Sequence, residues 1–198
     1  RSLRYYLRRY AMSPIVMSEK KKYTYEDYQK TSDDKRYELI NGELLMTPSP
    51  IPHHQRISRR IGFILEKFIT ENRLGEVFYA PCDVYLDDEN VVQPDILFIS
   101  LDRRDIIGKK NIQGAPDLVI EIISENSAYR DMVQKKKLYA RFGVKEYWIV
   151  IPEEDSLEVY WLKNTAYQLY KAYGKEDILE SPLLKGLKTG LHEVFKEG

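Results

Sequence analysis

The chain has 198 residues, equal numbers of acidic and basic residues, and a hydrophobic content of 43%. This composition is typical of a soluble globular protein, and it excludes one that binds nucleic acid mainly through a high overall positive charge. Cys82 is the only cysteine, which excludes an internal disulfide and a multi-cysteine zinc site and favours a reducing, cytoplasmic location. No apolar run approaches the roughly 20 residues of a membrane span, so we expect no membrane partner.

The N-terminal residues 1–22 are rich in basic side chains and lack the long apolar segment of a signal peptide. We expect them to form a flexible extension. Residues 23–198 contain no internal repeat and no linker-like stretch, so this part of the chain is expected to fold as a single domain.

The first predicted elements are a short helix and a hairpin. A capping-box pattern that begins at Thr24 predicts a helix over Tyr25–Lys30. The pair Asn41-Gly42 separates two short runs, Arg36–Ile40 and Glu43–Thr47. Because Asn-Gly favours the tight turns that join antiparallel strands, these two runs are predicted to form a β-hairpin.

A long amphipathic helix is predicted over His53–Asn72, after a loop that contains three prolines. Gly75 is expected to provide the C-cap of this helix. Its apolar residues recur at helical spacing and predict one face toward the core; they are Ile57, Ile61, Ile64, Leu65, Phe68 and Ile69.

Several β-strands are predicted after this helix. The candidates are Glu76–Ala80, Asp83–Leu86 and the strongly apolar Val91–Ser100. Pro94 interrupts the last of these runs and indicates an edge, a bulge or a strand start, because proline cannot donate to a ladder.

The second half of the chain predicts a strand, a helix and a second strand, followed by a hairpin. The strand Asp117–Ile123 is almost wholly apolar, as expected for burial on both faces. The helix Ala128–Phe142 and the strand Lys145–Ile151 follow, and Leu157–Leu162 with Ala166–Tyr173 form the hairpin. This order predicts an α/β fold with one mixed β-sheet flanked by helices.

Apart from Asp117 at its start, Glu121 is the only carboxylate in that buried strand, where an ionised group is costly unless it is paired. Asp95 directly follows Pro94, at the point where the preceding strand resumes. If the two strands are neighbours, Asp95 and Glu121 meet at one end of the sheet. Two close carboxylates repel unless a proton or cation lies between them, so we predict a divalent-ion site there, with the backbone carbonyl of Ile122 as a further ligand.

Asp131, Lys135 and Tyr139 are spaced by four residues and therefore share one face of the predicted helix. This helix follows the strand that carries Glu121, so its face can point back to the carboxylates. A lysine there would orient or deprotonate a water, or neutralise charge that develops on a phosphate. The alternative is a solvated ion pair between Lys135 and Asp131, and the sequence leaves both interpretations open.

The sequence also resembles a known family. Asp95 within QPD, followed by Glu121 within LVIEII, resembles the PD-(D/E)XK nuclease superfamily. More closely, the chain from Tyr23 to about Phe195 resembles the Uma-type family of restriction endonucleases. The motifs that carry this resemblance follow one another as an ordered series over most of the chain: YELINGEL, VVQPDILFI, GAPDLVIEIIS, RDMVQKKKLY and GVKEYWIV.

This resemblance implies a restriction-endonuclease-like fold, a Mg²⁺ or Mn²⁺ ion, and hydrolysis of phosphodiester bonds in DNA. The superfamily pattern places a lysine two residues after Glu121, where this chain has Ile123. In the Uma-type variant the lysine lies in the following helix, which implies that Lys135 acts with Asp95 and Glu121. The expected accessory residues are Glu38, His54, Asp131 and Tyr139.

Two other acidic residues have structural interpretations. Asp117 lies at the start of the strand that carries Glu121, and we predict a structural role for it. Glu43 flanks the Asn-Gly turn, where a solvated hairpin charge is favoured.

A nucleic-acid cleft and a homodimer are also expected. Cleavage of both strands of DNA needs two active sites, and a homodimer would supply them. The missing lysine at Ile123 supports an alternative function, a catalytically degenerate nucleic-acid-binding or partner-binding module on the same fold. The basic residues that would line the cleft, and that also fit ordinary solvated helix faces, are Arg56, Arg59, Arg60 and Lys136.

Overall fold

The computed structural model describes residues 21–32, 35–124 and 130–196, so the predicted extension at residues 1–22 lies almost entirely outside the described residues. No helix in these ranges is long and apolar enough to span a bilayer. The α-helices are α1 (Tyr25–Tyr28), α2 (Pro52–Asn72), α3 (Lys136–Phe142) and α4 (His192–Phe195). A π-helical turn at Arg130–Lys135 leads into α3, and 3₁₀ turns cover Leu101–Ile106 and Pro152–Glu154.

The strands of the described residues are β1 (Arg36–Ile40), β2 (Glu43–Thr47), β3 (Gly75–Tyr79), β4 (Val84–Asp87), β5 (Asn90–Val92), β6 (Ile96–Ser100), β7 (Ile112–Gln113), β8 (Leu118–Ile122), β9 (Glu146–Ile151), β10 (Ser156–Lys163), β11 (Ala166–Gly174), β12 (Ile178–Glu180) and β13 (Lys188–Gly190). They form a five-stranded sheet in the order β2-β1-β5-β4-β7, a six-stranded sheet in the order β11-β10-β9-β8-β6-β3, and a ribbon of β12 and β13. These mixed sheets with flanking helices confirm the predicted α/β fold class.

The six-stranded sheet is covered on both faces. It has one parallel pair, β8 with β9, and its other neighbours are antiparallel. One face packs against α2 and the C-terminal segment, and the other packs against α3. The side chains of β8 alternate between these layers as predicted: Leu118, Ile120 and Ile122 lie in the first, and Val119 and Ile123 in the second.

Pro94 divides the run that was predicted as one strand. The residues before it form β5 in the five-stranded sheet, and the residues after it form β6 in the six-stranded sheet. The prediction of one mixed sheet is therefore wrong, because the proline ends one ladder and the chain crosses to another. Asp95 lies at this crossing, between the two sheets.

The β1–β2 hairpin is confirmed at its predicted bounds. Asn41 and Gly42 both have positive φ, at 52° and 78°, which is the conformation that the Asn-Gly pair favours. Leu39 of β1 pairs with Val91 of β5. This pairing fixes the hairpin beside the residues that precede Asp95.

Helix α2 has its predicted core face but a different C-cap. The cap is Arg73, which adopts the left-handed conformation with φ 53°, so the prediction of Gly75 as C-cap is wrong. Gly75 instead begins β3, where its backbone passes close to that of Ile99. A Cβ at position 75 would lie 2.0 Å from the Ile99 carbonyl oxygen, so this approach requires glycine.

Asp117 has the structural role that was predicted for it. Its buried carboxylate accepts hydrogen bonds of 2.9 Å from both the backbone N–H and the hydroxyl of Ser100. It also pairs with Lys145 at 2.7 Å and with Arg103 at 3.2 Å. Burial raises the pKa of Asp117, but these donors outweigh burial and lower it. The carboxylate thus ties the start of β8 to its neighbours.

Candidate active site

A cavity of about 360 Å³ lies where the loop after β2, the start of α2 and the ends of β6 and β8 meet. Polar side chains from the β1–β2 hairpin and from the π-helical turn close its other sides. Its lining residues are Arg36, Thr47, Pro48, Ser49, Pro50, Ile51, His54, Gln93, Asp95, Glu121, Ile122, Ser124, Arg130, Asp131, Lys135 and Glu153.

Asp95 and Glu121 are neighbours, as the sequence predicted. Strands β6 and β8 pair antiparallel with Ile96 opposite Ile120, so Asp95 falls opposite Glu121. The Asp95 Oδ2 atom accepts a 2.8 Å hydrogen bond from the backbone N–H of Ile122. These contacts fix Asp95 at the end of the sheet, beside the strand that carries Glu121.

Lys135 points from its helix back to the carboxylates. Its side chain is only 2% exposed, and its Nζ atom lies 2.9 Å from Glu121 Oε1. The same nitrogen lies 2.7 Å from Glu38 Oε1 and 3.4 Å from Asp131 Oδ1. The structure therefore excludes the alternative of a solvated Lys135–Asp131 pair, because both side chains are buried.

Glu38 comes to the site from the other sheet. Its side chain is 1% exposed, and Oε1 accepts a 2.8 Å hydrogen bond from the backbone N–H of Gln93. Glu43, on the neighbouring strand, is exposed. The hairpin thus contributes Glu38 as a third carboxylate to the pair formed by Asp95 and Glu121.

Arg130 belongs to the same cluster, and the sequence analysis did not predict this. Its Nε atom lies 3.5 Å from Glu38 Oε2 and 3.5 Å from Asp131 Oδ1. The available signal was its place at the start of the word RDMVQKKKLY, next to Asp131.

Two tyrosines hold the acidic residues in place. The Tyr139 hydroxyl donates a 2.6 Å hydrogen bond to Glu121 Oε1. The Tyr147 hydroxyl donates a 2.9 Å bond to the backbone carbonyl of Asp131. Both rings are buried and pack against each other, with centroids 5.2 Å apart. The predicted accessory residues Asp131 and Tyr139 therefore lie in contact with Lys135 and Glu121.

The ionisation of Glu121 and Lys135 is coupled. Burial raises the pKa of Glu121; the charge of Lys135 opposes this rise, while Asp131 and Asp95 add to it. Burial would lower the pKa of Lys135, but the charges of Glu121, Glu38 and Asp131 outweigh burial and raise it. Lys135 therefore stays protonated and favours the ionised form of its partners.

The cluster contains more carboxyl groups than cationic side chains. Its cations are Lys135 and Arg130, and the carboxylates around them are Glu38, Glu121, Asp131 and the adjacent Asp95. The atoms Glu38 Oε2 and Asp131 Oδ1 are buried and have no hydrogen-bond partner within the described ranges. These two oxygens face Arg130 or Lys135 in ion pairs of 3.4–3.5 Å. Because carboxylates outnumber cationic side chains here, the cluster favours binding of a further cation.

Comparison with known proteins identifies the family. The model of the Uma2 family, described as "Putative restriction endonuclease", matches residues 23–192 of this chain. The chain belongs to the Uma2 family. This confirms the family that the motif words indicated, and with it a nuclease-like character.

A solved structure has the same fold as this Uma2 protein. It is described as "a putative nuclease belonging to DUF820" from Anabaena variabilis, and it matches with a TM-score of 0.72 and 18% identity over 87% of this chain and 97% of that chain. At this identity the likeness shows the fold alone. No curated protein matches the chain.

Position 123, where the superfamily pattern has lysine, lies in the hydrophobic core of this protein. Ile123, which stands where the superfamily pattern has lysine, is buried among apolar side chains that pack against α3. In this Uma2 protein the cation beside Glu121 is Lys135, delivered from the π-helical turn.

The donor set of the Uma2 site suits a hard divalent ion. Asp95, Glu121 and the Ile122 carbonyl all present oxygen atoms, the donors that such ions prefer, and they lie at the adjacent ends of two paired strands. In the part of the chain that the structure describes, no group of three or more His, Cys, Asp or Glu side chains converges as a metal cage. A divalent ion at this place would therefore have two carboxylates and a backbone carbonyl as its protein ligands, with water in the remaining positions.

The four predicted DNA contacts have different surroundings. Arg56 and Arg59 are exposed on α2. Arg60 instead donates to the backbone carbonyls of Val194 and Lys196, so it ties α2 to the C-terminal segment. Lys136 lies over the ring of Tyr160, 3.2 Å from its centroid. None of these contacts tests whether the residues bind DNA, so all four stay predictions.

His54, at the start of α2, has its Nε2 atom 3.2 Å from Asp95 Oδ2. Burial lowers the pKa of this imidazole, but the hydrogen bond and charge of Asp95, together with the Ile122 carbonyl, outweigh burial and raise it above 6.5. Because the folded-state pKa is raised, the contact stabilises the fold below pH 6.5 and this contribution is lost as the pH rises through the folded-state pKa.

We therefore expect the Asp95→Asn substitution to lower the pKa of His54 in metal-free protein. A titration followed by NMR of the imidazole nuclei measures this. Asp102→Asn is the control, because Asp102 is exposed on a distant 3₁₀ turn and should leave the His54 titration unchanged. An equal His54 pKa in wild type and Asp95→Asn contradicts the pairing.

Proposed function

We propose that this protein is a divalent-metal-dependent endonuclease that hydrolyses phosphodiester bonds of DNA. The observation that carries this proposal is the buried Lys135, whose Nζ atom reaches Glu38, Glu121 and Asp131 at the floor of an open cavity. Asp95 lies at the same floor, one strand away from Glu121. Membership of the Uma2 family supports a nuclease, and the surplus of carboxylates supports a cation cofactor.

Each residue has a role in this proposal. Asp95, Glu121 and the Ile122 carbonyl would hold a Mg²⁺ or Mn²⁺ ion. Lys135 and Tyr139 both donate to Glu121 Oε1 and so orient its carboxylate. His54, hydrogen-bonded to Asp95, fixes that ligand from the side of α2.

A bound divalent ion supplies Lewis acidity, which lowers the pKa of the attacking water and offsets charge on the phosphate. The water oxygen forms a bond to phosphorus while the bond from phosphorus to the leaving sugar oxygen breaks. The proton of the attacking water passes to solvent, and the leaving oxygen takes up a proton from solvent. Lys135 keeps the site from accumulating the full negative charge of its carboxylates before the substrate arrives.

The proposal includes a homodimer and a cytoplasmic location. Cleavage of both DNA strands at one place needs two sites, which a pair of copies would supply. Sedimentation at increasing protein concentration tests the dimer. A dimer predicts linear plasmid as an early product, and a monomer predicts nicked circles first.

Plasmid cleavage tests the proposal. We expect wild-type protein to cleave supercoiled plasmid in Mg²⁺ or Mn²⁺, to stop in EDTA, and to recover when the ion is added back. Glu121→Gln keeps the size of the side chain and removes a charged ligand, so its cleavage rate should fall by at least about a hundredfold. Cleavage that persists in EDTA, or an undiminished rate in Glu121→Gln, overturns the proposal.

The second candidate is a non-catalytic nucleic-acid-binding or partner-binding module. One observation favours it: Glu121 Oε1 already accepts hydrogen bonds from both Lys135 and Tyr139. Calorimetry with Mn²⁺ separates the two candidates. The module predicts no metal binding with nucleic-acid affinity retained, and the nuclease predicts metal binding that Glu121→Gln weakens.

A further inference from the structure

A second groove adjoins the active-site cavity. It has a volume of about 430 Å³, and it shares Arg36, Pro50, His54 and Asp95 with the cavity described above. From these shared residues it runs along the exposed face of α2 toward Phe63 and reaches the end of β3. We call it the flanking groove. Because the two spaces meet at Asp95, a chain that places one phosphate in the cavity can continue into the groove.

Arg36 lies where the cavity and the groove meet, and it forms no ion pair with a described carboxylate. It is half-buried, and its Nε atom donates a 3.1 Å hydrogen bond to the neutral side chain of Gln93. Within residues 21–32, 35–124 and 130–196, no carboxylate pairs with it. Lys135 and Arg130, by contrast, both face carboxylates. A guanidinium that is held at one edge and free at the other suits bidentate binding of a phosphate.

Gln93 itself is held rigidly, so the position of Arg36 is preset. The Gln93 amide nitrogen donates to Asp83 Oδ1 at 2.7 Å and to the Tyr28 hydroxyl at 3.2 Å. Its carbonyl oxygen is thereby turned toward Arg36. The motif QPD thus contributes two residues: Gln93, which orients Arg36, and Asp95.

The far part of the groove presents aromatic rings beside a cation. Phe63 is 70% exposed and Tyr79 is 37% exposed, and both line the groove together with the exposed Arg59. Gly62 lets the Tyr79 ring lie against the helix, because a Cβ there would come within 2.5 Å of that ring. Glycine is unfavourable inside a helix. Its place here is explained by the room that it leaves for the Tyr79 ring in the groove wall. The Tyr79 hydroxyl donates to Glu66 at 3.3 Å.

We propose that the flanking groove binds the DNA next to the scissile phosphate as a single strand. Arg36 binds a backbone phosphate at the junction, and Phe63 stacks on an unpaired base. Bases in a duplex are already stacked on each other and cannot offer a face to Phe63, so the preferred substrate is DNA with an unpaired segment. This inference rests on the proposed function and names its substrate class.

Binding in EDTA tests the groove without turnover. The probes are a fluorescein-labelled oligothymidine strand and the duplex that it forms with its complement, followed by fluorescence anisotropy with the full chain. We expect tighter binding of the single strand. Phe63→Ala should weaken single-strand binding about tenfold with little effect on duplex binding, because it removes one stacking partner. Leu169→Ala is the control, because Leu169 is an exposed apolar residue on β11, away from the groove.

Arg36→Gln gives a second readout. It should weaken binding of both probes and reduce the slope of log affinity against log salt by about 1, because one phosphate contact is lost. Lys185→Gln is its control, since it removes an exposed positive charge elsewhere. Tighter binding of the duplex, or Phe63→Ala and Arg36→Gln affinities equal to their controls, overturns the inference.

The results that would contradict the proposed nuclease activity differ from those that would contradict single-strand binding in the groove. Wild-type protein that binds the single strand through Phe63 and Arg36 but never cleaves it in Mg²⁺ or Mn²⁺ contradicts the nuclease and supports the groove. Metal-dependent cleavage of plasmid with no single-strand preference supports the nuclease and contradicts the groove.

Discussion

Replacing Lys135 with methionine is expected to lower the free energy of unfolding by about 3–5 kcal/mol, because it leaves buried carboxylates without their cation. Glu38, Glu121 and Asp131 all lie within 3.4 Å of the lysine nitrogen and are nearly inaccessible to solvent. Methionine fills a similar volume, so lost charge rather than lost packing dominates the effect. Chemical denaturation at neutral pH measures the change.

The loss should also depend on pH. Burial already raises the pKa of Glu121, and Lys135 is the charge that opposes this rise. Without the lysine, the folded state binds a proton that the unfolded state does not, so the stability of the variant increases as the pH falls. We therefore expect the difference between Lys135→Met and wild type to shrink as the pH falls toward 4.5, the ordinary pKa of a glutamate.

Lys137→Met is the matched control for this experiment. Lys137 lies two residues further along the chain, in the first turn of α3, but is exposed. Its substitution should change the stability by no more than about 0.5 kcal/mol at either pH. Equal effects of the two substitutions would mean that Lys135 does not hold the acidic cluster together.

Replacing Asp95 with asparagine is expected to reduce metal-dependent DNA cleavage by at least about a hundredfold, since a charged ligand becomes a neutral amide. The fold should persist. Asparagine keeps an oxygen that can accept the hydrogen bond from the Ile122 N–H, so the free energy of unfolding should fall by no more than about 1 kcal/mol. Initial rates of plasmid cleavage, with urea unfolding of the same preparation, measure both quantities.

Asp102→Asn serves as the control for cleavage, because it removes an exposed carboxylate outside the cavity. Its rate should equal that of wild type. A cleavage rate in Asp95→Asn within a fewfold of wild type would show that Asp95 is not a ligand, whatever its place in the fold.

Part of the site was predictable because it follows from local periodicity. The alternation of side chains along β8 predicted that Glu121 faces away from Leu118 and Ile120, as it does. The spacing of four residues predicted that Lys135 and Tyr139 share a helical face, and both contact Glu121. Both rules need only a few consecutive residues. The Asn-Gly hairpin was predictable for the same reason.

The rest of the site depends on how distant segments meet. Arg36 gave no local signal, because its partner Gln93 lies far away in the chain, just before Pro94. For Arg130 the sequence showed only its neighbour Asp131, because its other partner, Glu38, lies on β1. The single predicted sheet became two because Pro94 marks a crossing between sheets, and a sequence pattern does not show where a broken strand continues. Gly75 was misjudged because the backbone that it approaches, at Ile99, belongs to another strand.

The central claim is that Asp95, Glu121 and the Ile122 carbonyl hold one divalent ion beside Lys135. A crystal structure of the protein soaked with Mn²⁺, with anomalous diffraction recorded for manganese, tests it most directly. We expect one anomalous peak within coordination distance of all three oxygen atoms, and loss of that peak in Glu121→Gln. An Mn²⁺ peak elsewhere, or a cavity without manganese at saturating concentration, would contradict it.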